Sequence, residues 1–176
     1  MRALVLLVCA AVSAAALTVS AAAAEPETGA LSVERGKGTI AIDIRGSVLG
    51  RLATGTLRVT DVTPRDRFTP SVMGRKLTLT RLGPRTVLYR GQALRFRMLG
   101  GGYRIVVRGS GASLSAVGRG SVVLDGDPRV PGEDVGVFSV DDGIDCGTTP
   151  ETCQPMPTEP QRFPLGTDDG GQGAAK

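Results

Sequence analysis

Arginine is the side chain through which this sequence offers the most chemistry. Arg45, Arg58, Arg95, Arg97, Arg104 and Arg108 each sit beside apolar residues in runs that alternate residue by residue. A guanidinium keeps its charge at any physiological pH and pairs bidentately with carboxylate, phosphate or sulfate. If the runs lie side by side, these six arginines form a cationic face for an anionic polymer of the cell envelope or for a glycan. The plainer account is that they keep sheet surfaces soluble. Aromatic residues make up only 3% of the chain. The stacking platforms of a single-strand nucleic-acid binder are therefore missing, and nucleic acid is not the expected partner.

Other chemistries are narrower still. The chain of 176 residues contains no His, which excludes Ser-His-Asp and Cys-His catalysis and removes the commonest zinc ligand. It also contains no Asn, and so no acceptor for N-linked glycans. Glu34, Asp43, Asp61 and Asp66 are the carboxylates of the strand-rich region, and two of them could in principle flank a glycosidic bond. No aromatic platform for sugar rings accompanies them, so a small carboxylate hydrolase is the weakest alternative. Gly109-Ser110-Gly111 lacks the outer glycines of a nucleophile elbow, and Gly36-Lys37-Gly38-Thr39 is not a phosphate loop. Asp125-Gly126-Asp127 and Asp141-Asp142-Gly143-Ile144-Asp145 space carboxylates as calcium loops do. Neither closes with a Glu at the twelfth position, and Asp-Gly turns explain both. No catalytic, cofactor-binding or metal-ligating residue is predicted, and the chain is not expected to be an enzyme.

The first two dozen residues read as a targeting segment. Arg2 is followed by no charge until Glu25, with an apolar centre and then small residues up to Ala24. This predicts a signal helix over 1–24, cleaved between Ala24 and Glu25. The alternative is an uncleaved anchor, which would be the chain's only route to a membrane. Export places the chain in an oxidising compartment, where Cys146 and Cys153 are predicted to form a disulfide once Cys9 leaves with the signal. A metal or redox pair is the alternative, and without His it makes a poor zinc site.

These groups must be carried by strands. Ile40, Ile42 and Ile44 alternate with Ala41, Asp43 and Arg45, and the same period of two recurs at 57–60, 77–80, 94–98, 103–108 and 122–124. Glycines punctuate the runs, and with no Asn they must supply the left-handed turn positions. The pattern predicts an all-β fold, an antiparallel β-sandwich or small β-barrel of about eight to ten short strands. An internal echo, Ile44-Arg45-Gly46-Ser47 against Val107-Arg108-Gly109-Ser110, keeps a short β-helix as the alternative.

Charge divides the chain. Residues 25–124 carry 17 basic against 6 acidic side chains, and 125–176 carry 3 against 11. The second part also holds 7 of the 11 prolines. The reading is therefore an all-β domain over 30–126 and an acidic Pro/Gly-rich tail over 127–176, mostly disordered and able to fold back over the basic sheet.

The segment 107–126, VRGSGASLSAVGRGSVVLDG, resembles a stretch of uncharacterised secreted Gly/Arg-rich β-proteins of high-GC bacteria. The resemblance covers about 20 residues and carries no catalytic motif; it implies export and an all-β fold, and no activity. Codon bias in such genomes also enriches arginine. The expected function is a non-catalytic, exported β-domain, a structural or binding component outside the cytoplasmic membrane. Mass spectrometry of exported protein is expected to find Glu25 at or near the N-terminus, and an intact Met1 would contradict cleavage.

Overall fold

The computed structural model describes residues 28–64, 69–130, 132–141 and 143–166. The predicted signal over 1–24, the cleavage point at Ala24 and Glu25, and residues 167–176 lie outside them. Alternation of apolar and polar residues gives seven strands: β1 (Gly29–Asp61), β2 (Ser71–Arg81), β3 (Thr86–Met98), β4 (Gly102–Gly126), β5 (Val137–Ser139), β6 (Gln154–Pro155) and β7 (Gln161–Leu165). They form one open antiparallel sheet in the order β2-β3-β1-β4-β7, with β5 joined to β1 and β6 to β5. Every pairing is antiparallel, which replaces the β-helix alternative, whose rungs run parallel.

The predicted eight to ten short strands are merged into fewer, longer ones. β1 has 33 residues and β4 has 25. The runs seen in the sequence are real, but the glycines between them bend the strand without ending it. Ile40 pairs with Val107 on one side and with Leu124 on the other, so β1 meets β4 in two registers. The stretch 38–45 therefore lies between 102–109 and 119–126, while 112–118 lies between 29–36 and 46–52. The sheet has two halves, and β1, β3 and β4 each pass from one to the other.

The bends line up across the strands. Gly126, Gly38, Gly109, Gly55 and Gly91 are successive register partners in adjacent stretches. Gly55 and Gly109 adopt φ of +147° and +151°, where a side chain is strained. At Gly109 a Cβ would also press on the Thr54 carbonyl oxygen and lie 2.9 Å from the Gly55 Cα. The neighbouring backbones close at this row only because neither residue has a side chain. Beside it, Arg35, Lys76 and Ala93 hold φ of 54°, 49° and 48°, and register shifts or gaps mark the same crossing.

The inner faces of both halves share one core. Ile40, Ile42, Leu57, Tyr103, Ile105 and Leu124 come from one half, and Leu31, Val48, Leu52, Leu94, Phe96 and Met98 from the other. β2 is an outer edge. It pairs only with β3, and apart from Val72 all its residues are exposed.

The predicted boundary at 126/127 does not interrupt the sheet. β7 pairs with β4 over 120–124, and β5 pairs with β1 over 32–34. The part predicted to be mostly disordered is thus structured over most of 127–166. The sequence holds few apolar residues there, but Val135, Phe138, Met156 and Leu165 are all buried in the common core. Cys146 and Cys153 are disulfide-bonded, as predicted, with Cα atoms 5.9 Å apart. Cys146 is itself buried, and its N–H donates to Ser32 Oγ at 2.9 Å, which ties this loop to β1. Among the described residues no helix is long and apolar enough to cross a membrane.

Two stability measurements follow from these contacts. In urea unfolding, Gly109→Ala is expected to lose at least about 2 kcal/mol, from backbone strain plus the clash. Gly83→Ala, where a Cβ meets nothing within 4 Å, is the control and should stay within about 0.5 kcal/mol. Equal losses would refute the close-approach account. Replacing Cys146 and Cys153 by Ser should cost about 2–3 kcal/mol in the chain-entropy picture, visible as a lower melting temperature.

Candidate anion-binding face

On the outer face of one half, Thr56 of β1 has Arg90 of β3 on one side and Arg108 of β4 on the other. With strands about 4.8 Å apart, the two arginine Cα atoms stand roughly 10 Å from each other across Thr56. Arg58, the next outward residue of β1, is flanked by Leu88 and Val106. The three arginines enclose a depression of about 260 Å³ with Thr56, Leu82, Leu88 and Val106 as its remaining lining. All three are exposed, and among the described residues none of them forms an ion pair. Two like charges 10 Å apart in water repel by about 0.4 kcal/mol, before screening. That is too little to disturb the sheet, so the positive charge can stand without an internal counterion.

The six predicted arginines are divided by the bends. Arg58 and Arg108 come together. Arg104 lies on the same outer face, but its Nε and Nη2 donate to Asp43 Oδ2 at 3.1 and 2.9 Å. Arg45 is opposite Arg119, away from the cluster. Arg95 and Arg97 belong to the other half, opposite Arg51 and Leu49, because β3 crosses over between Arg90 and Arg95. Arg51 in turn donates to Glu34 at 3.1 Å. A single face of six arginines does not form. A cluster of three does, with Arg90 as the member that pattern reading missed. Val87-Leu88-Tyr89 breaks the alternation before it, and the register with Thr56 is what reveals its side. Tyr89 points to the opposite, inner face, where partial burial pushes its phenol above its ordinary value against the pull of Arg81.

The carboxylates are occupied separately. Glu34 and Asp43 hold Arg51 and Arg104, and Asp61 Oδ1 accepts the Thr63 N–H at 2.9 Å. Asp66 lies outside the described residues. The two clusters weighed for calcium make turns: Asp127 Oδ1 accepts the Arg129 N–H, and Asp145 Oδ1 accepts the Gly147 N–H, at 3.1 and 3.0 Å. The acidic segment joins the sheet through β5 and β7, at the borders of β1 and β4, and none of its described residues lines the depression of Arg58, Arg90 and Arg108.

No protein-family model matches the chain, and neither a curated protein nor a solved structure matches it.

Proposed function

We propose that this chain is an exported, non-catalytic β-domain that acts outside the cytoplasmic membrane as a binding component, and that its ligand is an anionic polymer held on Arg58, Arg90 and Arg108. We read the two halves of the sheet as the layers of an antiparallel sandwich whose strands change layer at glycine bends. The observation that carries the functional reading is the cluster itself: three arginines brought to one depression from three strands, with no carboxylate of the described residues paired to them. The Cys146–Cys153 disulfide is consistent with an extracytoplasmic location.

Magnitudes select a polymer over a single ion. An exposed ion pair is worth about 0–1 kcal/mol, so three contacts give at most about 3 kcal/mol. Millimolar binding already needs about 4.1 kcal/mol. A lone sulfate or phosphate would therefore not be retained. A chain with many anionic groups rebinds at high local concentration and accumulates the weak contacts.

The test is the affinity of the purified mature protein for dextran sulfate at low ionic strength. The triple variant Arg58→Ala, Arg90→Ala, Arg108→Ala is expected to weaken binding about tenfold or more. Arg95→Ala with Arg97→Ala, which removes charge from the other half, should have a much smaller effect. The wild-type advantage should shrink as salt approaches about 0.15 M and the Debye length falls to about 8 Å. Equal weakening by the two variants would show a general charge effect and defeat the reading.

A further inference from the structure

We infer that the polymer is an acidic glycan, and that its sugar rings lie in a groove floored by the glycine row next to the arginine cluster. The inference rests on the proposed anion role of Arg58, Arg90 and Arg108 for one end of the ligand and adds the rest of the site. The groove has a volume of about 690 Å³ and is lined by Gly126, Gly38, Gly109 and Gly55. That volume is in the range of sites for small organic ligands. The four glycines are successive register partners, so the groove runs across the strands. Its floor is backbone at the four glycines, and a sugar ring can approach the peptide groups there with no side chain between.

The walls are outward residues on either side of the glycine row. Thr39 and Asp125 stand on one side, in the same row as Arg108, which pairs with Thr39. Lys37, Thr54 and Ser110 also line the groove. The Thr54 and Ser110 hydroxyls are within 3.0 Å of each other and exposed. Hydroxyls, one ammonium and two carboxylates, Asp125 and Asp127, offer donors and acceptors in mixed order, which matches a polyol. A carboxylate such as Asp125 accepts from sugar hydroxyls and repels an anion.

This ordering separates the candidate ligands. From the strand of Asp125 to that of Arg90 is four strand spacings, about 19 Å. Along this line the charge passes from negative at Asp125, through Thr39, to positive at Arg108 and Arg90. A chain of consecutive anions with no hydroxylated ring between them, such as polyphosphate, meets Asp125 unfavourably when it extends from the arginines along the groove. A chain whose anions are separated by neutral hydroxylated faces fits both ends. No aromatic side chain lines the groove, so nothing there stacks on a nucleobase.

The experiment compares polygalacturonate with polyphosphate at matched charge and low salt, using the whole mature protein. Wild type is expected to bind polygalacturonate about tenfold more tightly. Thr54→Tyr, which fills the groove from an exposed position, should abolish that preference while leaving polyphosphate binding unchanged. Asp125→Asn, which reduces the repulsion with little change of shape and leaves Asp127 in place, should strengthen polyphosphate binding. Thermal melts of both variants establish that they are folded. If wild type binds the two polymers equally, or if both folded variants leave the preference intact, the groove does not hold sugar and the inference fails. That outcome leaves the arginine reading standing, which fails separately if Arg58→Ala with Arg90→Ala leaves both polymers bound as before.

Discussion

The contact on which this fold depends is backbone against backbone at the glycine row. Strands as long as β1 and β4 cannot remain flat within a small protein, because most of their length would have nothing to pack against. Bending them lets one strand contribute to both halves of the sheet and bury both inner faces in one core. The bend is possible where Gly38, Gly109 and Gly55 meet, since a methyl group at Gly109 would already collide with Thr54 and Gly55. Twist and bulges at Arg35, Lys76 and Ala93 complete the crossing.

The same row determines the surface. A groove follows the row on the outside, with backbone as its floor and the residues beside it as its walls. The arginine cluster sits at one end of that groove because Arg108 directly precedes Gly109 and Arg90 directly precedes Gly91. Fold and candidate site therefore share one cause. The bends also explain why Arg95 and Arg97 are separated from Arg90: Ala93, at φ 48°, lies between them and turns β3 into the other half.

Much of this was legible in the residues. The period of two located the inner faces well, since Ile40, Ile42, Ile44, Leu94, Phe96 and Met98 are all buried. The cysteine pair was recoverable from number and spacing. What alternation cannot convey is continuity, because a glycine reads the same whether it ends a strand or bends it. Strand number and the grouping of the arginines were misjudged for that one reason. The segment after 126 was misjudged for another: composition averages over the few residues, such as Phe138, Met156 and Leu165, that anchor a polar chain to a core built elsewhere. Arg90 was invisible because its side of the sheet is set by a partner, Thr56, that lies 34 positions earlier in the chain.

The double pairing of β1 with β4 has a consequence for how the chain reaches its native state. Residue 40 needs 107 on one side and 124 on the other, so both edges of this stretch are satisfied only once the chain through residue 126 is present. Local hairpins such as β2–β3 can form early, but the central strand cannot. Such non-local topologies fold in milliseconds to seconds, slowly for their size. The two registers also police each other: a slip of one residue on either side would turn the isoleucines of β1 outward along both. Folding is then gated by a single long-range search, and assembly begins in earnest only when β4 arrives.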